Sequence, residues 1–201
     1  MSFSRDDFTI ESEKRLWKGF FEVVDVSLRH RLFSGKWSGE VRRVVARRRE
    51  AVGVLIYDPA MDALAIAEQF RIGALYRHPS PWLMELIAGL MEAGESPEDV
   101  AYRESIEEAG AQLTALEKVA SYYSSPGGSD EYFHLYCGCA DLSRSAGIHG
   151  LPEENEDIRL HVLPVDEVLA MMDAGVIDNA HSLVALNWFA RHHARLRELW
   201  G

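Results

Sequence analysis

The sequence predicts an α+β protein, a mixed β-sheet with helices packed on it. Three observations carry this reading. Residues 20–48 alternate apolar and charged side chains, the period of extended strands. Residues 51–70 hold two apolar runs, AVGVLIY and ALAIAEQF, joined by the turn-forming DPAMD, as in a hairpin of buried strands. Three later segments show helical spacing, which fits an antiparallel barrel without helices poorly. The pattern changes near residue 50. An N-terminal antiparallel β module, residues 1–50, is therefore expected beside a second domain, residues 51–201.

In the module, FFEVVDVSLRHRLF and GEVRRVVARR are the expected strands, and the module suits packing on a partner. After the hairpin of the second domain, RIGALYRHPSP reads as a loop, broken by Pro79 and Pro81. WLMELIAG is one strand ending at Gly89. A helix runs from Ser96 to Gly110. VASYYSS and EYFHLYCGCA are strands around the turn PGGSD. Residues 140–157 form a long loop, a length often tied to function. DIRLHVLP is a short strand, and two helices, VDEVLAMMDAG and SLVALNWFARHHARLRELW, end the chain.

Composition narrows the function. The formal net charge of −11 opposes general nucleic-acid binding, which needs a positive footprint. No apolar run approaches the ~18 residues of a membrane span, and the charged N-terminus lacks a signal-peptide core. A soluble, cytoplasmic protein is expected. Cys137 and Cys139 lack the second pair that a metal site needs, and read as reduced core residues. The basic run VRRVVARRRE, with Arg42 and Arg43, is open between a solvated strand edge and a phosphate-binding strand.

The stretch GLMEAGESPEDVAYRESIEEAG, residues 89–110, carries seven acids and one base. Ser96 suits the N-cap, Pro97 the first helical position, and Asp99 closes a capping box. Glu98 and Asp99 favour the positive helix N-terminus. The later acids lack that excuse. At 100° per residue Glu104, Glu107 and Glu108 share one stripe, toward the end of the helix where cations are favoured. They form either a solvated acidic face or a set of hard oxygen ligands for Mg²⁺ or Mn²⁺.

The spacing Gly89, Glu95, Arg103-Glu104, Glu107-Glu108, Gly110 resembles the Nudix box, the loop–helix–loop signature of hydrolases acting on nucleoside diphosphates linked to another moiety. Ser105 and Ala111 depart from it at packing positions. AIAEQFRIG, SPGGSDE, GIHGLPEENEDIR and GVIDNAHSLVALNW extend the likeness toward the ADP-ribose-hydrolysing branch, with Pro126 fifteen positions beyond the box. The resemblance implies an α/β/α sandwich around a mixed sheet. It implies hydrolysis of ADP-ribose to AMP and ribose 5-phosphate, by a homodimer using two or three Mg²⁺ ions per site.

The same resemblance implies the roles. Glu104, Glu107, Glu108 and Glu156 would be metal ligands, beside the carbonyl of Ala88. Glu154, on the long loop, would be the general base, and Arg103 would pair with Glu95. Gly89 and Gly110 would shape the motif. Arg71 would bind the diphosphate, its bland alternative being a surface salt bridge. Arg42 or Arg43 could reach the same ligand, Phe20 is open between stacking on adenine and core packing, and Glu131 would hydrogen-bond the terminal ribose. Nudix hydrolysis of a nucleotide-sugar or dinucleoside polyphosphate is the nearest alternative. A catalytically idle ADP-ribose sensor is a different class, disfavoured by the intact box acids.

Overall fold

A computed structural model describes residues 3–76, 79–151 and 155–201. The chain divides into two compact units: residues 1–49 with 123–132, and residues 50–122 with 133–201. The segment 123–132 thus joins the N-terminal module, an association that the sequence did not signal.

In the first unit, β1 (Phe8–Lys18), β2 (Glu22–His30) and β3 (Val41–Arg47) form an antiparallel sheet in that order. β1 is an additional strand. Its alternation is masked because it is exposed along its whole length, so charges occupy places that a buried face would make apolar. Residues 123–132 attach to β3: Ala46 donates to Gly128 at 2.8 Å and accepts from Asp130 at 3.2 Å.

In the second unit, β4 (Ala51–Asp58) and β5 (Ala63–Phe70) form the expected hairpin. The run WLMELIAG divides into β6 (Trp82–Glu85) and β7 (Ile87–Leu90). β6 pairs with β5 and β7 with β4, so the strand changes neighbour at Leu86. Then come α1 (Pro97–Ala109), β8 (Ala115–Tyr123), β9 (Tyr132–Cys139), β10 (Gly147–His149), β11 (Ile158–Pro164), α2 (Val165–Asp173) and α3 (Ala180–Trp200). β10 lies inside the expected long loop, and its three residues are too few to show a period. The sheet order is β10-β11-β5-β4-β9-β8. It is mixed because β4 and β9 run parallel while β5 and β11 run antiparallel.

Burial on both faces explains why β4 carries no charge from Ala51 to Tyr57. Val52, Val54 and Ile56 pack in one core with Val100, Ala101 and Ala109 of α1. Leu55 and Tyr57 pack in the other with Val168 of α2 and Leu186 and Phe189 of α3. Alternation puts successive residues of one strand into opposite cores. The second unit is therefore an α/β/α sandwich. Cys137 and Cys139 are buried and free. Among the described residues, no helix is long and apolar enough to cross a membrane.

Candidate active site

The site is built on α1 and the strands beneath it. Ser96 accepts from the Asp99 amide, and Asp99 accepts from the Ser96 amide, at 3.2 and 3.1 Å, so the helix starts on a capping box. Gly110 ends it with φ 57°, the left-handed geometry that glycine adopts cheaply. Between these ends, Glu104 and Glu108 are only 8% and 4% exposed. They face the sheet, so the reading of a solvated acidic face fails for these two.

Arg103 organises the acids. Its Nε donates to Glu95 Oε1 at 2.9 Å and its Nη2 to Glu95 Oε2 at 3.2 Å. Nη1 reaches Glu104 Oε1 at 2.6 Å and Glu107 Oε2 at 3.1 Å. Nη2 also meets the Leu90 carbonyl at 3.3 Å. Glu95 accepts in addition from the Glu92 amide at 2.8 Å, which folds the loop before the helix. Hydrogen bonds from Arg103 and then from Glu92 hold Glu95 below the usual carboxylate range. Gly89 has a steric reason: a Cβ there would occupy the place of the Glu104 carboxylate.

Glu108 turns away from Arg103. Its Oε2 accepts from the Ala88 amide of β7 at 3.0 Å. Burial first, then the charges of Glu104 and Glu156, push its carboxyl up to about 8 despite that bond. Burial likewise raises Glu104, with Glu107 and Glu156 adding to the effect and Arg103 opposing it. Glu156 is thus electrostatically part of the cluster. It is held by Gln69 Nε2 on β5 at 3.2 Å and lies across the loop neck from Gly150, where a Cβ would meet its backbone. Glu154, the expected general base, lies outside the described residues.

Arg71 follows β5, and its Nε donates to Glu85 Oε2 on β6 at 2.6 Å. Its charge is felt at Glu108. The acids and Arg71 belong to the second unit, whereas Phe20, Arg42, Arg43 and Glu131 belong to the first. Phe20 is 73% exposed and is not a core aromatic. Arg42 pairs with Asp25, and Arg43 donates to the Arg42 carbonyl at 2.8 Å. Glu131 is engaged by Arg48 at 2.9 Å and by the Ser124 hydroxyl at 2.6 Å. Sequence reasoning missed Gln69 and Glu85. Glu85 closes β6 and Gln69 stands one before the end of β5, and a polar residue near the end of an apolar strand was the available signal.

The donor set suits a hard divalent cation in chemistry and in charge. It is rich in carboxylates, the buried Glu108 carboxyl feels the charges of Glu104 and Glu156, and Gly89 leaves room for the Glu104 carboxylate. Among the described residues, no three acidic, histidine or cysteine side chains stand grouped as ligands of one ion, since Arg103 draws Glu104 and Glu107 while Ala88 holds Glu108.

A NUDIX domain matches residues 47–186. An "ADP-ribose pyrophosphatase" of Haemophilus influenzae is 45% identical over 201 residues, spanning 98% of this chain and 93% of that one. One of Escherichia coli K12 is 42% identical, spanning 100% and 96%. A "GDP-mannose pyrophosphatase" of Cronobacter sakazakii is 34% identical, spanning 79% and 82%. A crystal structure titled "ADP compounds hydrolase" shares the fold, with a TM-score of 0.71 at 21% identity, covering 98% of this chain and 100% of that chain. With a domain match over most of its length, a box whose charged positions converge on one helix, and full-length relatives, the chain belongs to the NUDIX family.

Proposed function

We propose that this protein hydrolyses the pyrophosphate bond of ADP-ribose, giving AMP and ribose 5-phosphate, in the cytoplasm. The carrying observation is the acidic cluster of the box helix, with Glu104 and Glu108 buried against the sheet, Arg103 holding Glu104 and Glu107, and the Ala88 amide holding Glu108. Such a cluster is poorly stable when fully ionised without a cation, and a pyrophosphate brings the same need. The choice of ADP-ribose is supported by the full-length relatives.

Glu104, Glu107, Glu108 and Glu156, with the Ala88 carbonyl, would hold divalent ions, two or three Mg²⁺ with Mn²⁺ as a substitute. When bound, such ions neutralise phosphate oxygens and lower the pKa of a coordinated water. The protein's own part is orientation. Arg103 fixes Glu104 and Glu107 on one nitrogen, the Ala88 amide aims Glu108, and Gln69 holds Glu156. Arg71 offers its guanidinium to the diphosphate. Glu154 takes the proton from the attacking water, the role assigned to it by family likeness. By family likeness, Arg42 or Arg43 reaches the same ligand as Arg71, Phe20 stacks on adenine and Glu131 hydrogen-bonds the terminal ribose.

We also assign the active form as a homodimer. Among the described residues β1 is an edge strand, and between its charges it leaves Ile10, Leu16 and Trp17 about half exposed, a surface on which a second copy can pack. Sedimentation of the wild type should give twice the chain mass, and Leu16→Glu should give the monomer. A monomeric wild type would remove the assignment.

The catalytic test compares ADP-ribose, GDP-mannose and a dinucleoside polyphosphate by kcat/KM with Mg²⁺ or Mn²⁺. ADP-ribose should lead, with AMP as product, and Glu108→Gln should lose most turnover. GDP-mannose is the second reading, favoured by the relative of that name. A lead for GDP-mannose would transfer the assignment to nucleotide-sugars.

A further inference from the structure

The strand 82–90 is where the site depends on groups remote from its acids. Its first part, β6, pairs with β5 and sets Glu85 opposite Ala67. Its second part, β7, pairs with β4 and sets Ala88, the holder of Glu108, opposite Gly53. Leu86 lies between, 3% exposed, at the change of neighbour. A backbone that leaves one ladder before joining another needs partners for its polar groups at the break.

The first turn of α3 supplies them. The Leu86 amide donates to Ser182 Oγ at 3.0 Å, and Ser182 is 1% exposed. The Met84 carbonyl accepts from Asn179 Nδ2 at 2.8 Å. Asn179 is the N-cap of α3, and its Oδ1 accepts from the Ser182 amide at 3.2 Å. The two residues are therefore tied to each other, and they grip the chain on both sides of Glu85.

Glu85 in turn faces Arg71. Its side chain is 14% exposed, and Oε2 accepts a hydrogen bond from Arg71 Nε at 2.6 Å. The Arg71 amide donates to the Pro81 carbonyl at 2.8 Å, so the base of this side chain is also tethered. With Nε engaged by Glu85, a bidentate anion on Arg71 is bound through the Nη1 and Nη2 edge. A guanidinium fixed at one edge loses less rotamer freedom when the other edge binds.

We infer that Glu85 is a positioning residue that aims Arg71 at the substrate diphosphate, and that Asn179 and Ser182 position Glu85 by clamping its strand across the sheet. The inference rests on the placement of Arg71 in the proposed function. Glu85 acts through Arg71 and touches no reacting atom.

Steady-state kinetics on the full-length, Mg²⁺-loaded protein with ADP-ribose test this, using Arg71→Ala, Glu85→Gln, their double variant and Ser182→Ala. Glutamine keeps the shape of Glu85 and removes its charge. Glu85→Gln should raise KM by about tenfold, the scale of one charge-assisted hydrogen bond, while kcat changes less than about threefold. In the Arg71→Ala background the same change should leave KM where it stands. Ser182→Ala should raise KM in the same direction, and by less.

Multiplying effects in the double variant, or a wild-type KM for Glu85→Gln, would overturn the positioning role. A Ser182→Ala protein with a lowered melting temperature and an unchanged KM would overturn the clamp. If Arg71→Ala itself leaves KM unchanged, the placement of Arg71 fails and the inference falls with it, an outcome distinguishable because the single variant alone reveals it.

Discussion

Glu108→Gln separates the electrostatic reading of the site from a merely steric one. In the folded protein without divalent ions, burial and the adjacent carboxylates push Glu108 from its ordinary 4.5 up to about 8. The sign follows from proton counting. Between these values the native state keeps a proton that the unfolded chain has released, so stability falls as pH rises. One retained proton is worth about 1.4 kcal/mol per pH unit. From pH 5 to pH 7 the wild type should therefore lose about 2.5 kcal/mol through this group. For a chain of this length that corresponds to roughly 5–10 °C in melting temperature. Glutamine carries no charge at either pH, and its carbonyl can still accept from Ala88. The assay is thermal unfolding by tryptophan fluorescence, in chelator, at half-unit pH steps. The wild-type melting temperature should fall against that of the variant as pH rises. Adding Mg²⁺ at pH 7 should restore the wild type far more than the variant. Parallel pH profiles for the two proteins would refute the argument that a buried charge lies at the centre of this site.

Three further outcomes follow from the same geometry. Gly89→Ala should fold with a melting temperature within a few degrees of wild type, because the group it meets is the movable end of Glu104; turnover should nevertheless drop more than about tenfold, and undiminished turnover would contradict the contact. Arg103→Lys keeps the charge but loses the fork that serves Glu95, Glu104, Glu107 and Leu90 together, so activity should fall by about a hundredfold while secondary structure by circular dichroism is unchanged. Asp62 tests stability away from the site. Burial raises its carboxyl, but hydrogen bonds from Tyr57 and His193 and the charges of His193 and Arg197 outweigh it and leave it below its ordinary 3.8. Its stabilisation is therefore present above that value and lost as pH falls below it. Asp62→Asn, which tolerates the local φ of 50°, should cost about 1 kcal/mol at pH 7 in urea unfolding and flatten the acid limb; an unchanged acid limb would show that the network contributes nothing.

What could be read from the sequence is what acts locally. Ser96, Pro97, Asp99 and Gly110 define α1 through bonds within one or two turns, so spacing alone reveals them. The uncharged run Ala51–Tyr57 of β4 announces burial on two faces. By contrast, β1 conceals its strand character by alternating in solvent, and WLMELIAG hides its break because Leu86 belongs to an apolar run that only Glu85 interrupts. The supporting residues escaped for a different reason. Gln69 meets Glu156 across 87 positions and Ser182 meets Leu86 across 96, so no local window contains either pair. Family likeness supplied the roles of the box acids. It did not supply the burial of Glu104 and Glu108, which only packing against the sheet creates.

The change of neighbour at Leu86 also bears on how the second unit comes apart. A strand shared between two ladders cannot fray from one end, because each half anchors the other. Its release requires α3 to lift from Met84 and Leu86 first. The C-terminal helix and the acids on the opposite face of the sheet should thus open in one cooperative event, with amides 83–90 among the slowest to exchange. Damage to the end of the chain, through truncation or a strained fusion, would then register as lost catalysis before it registers as lost solubility.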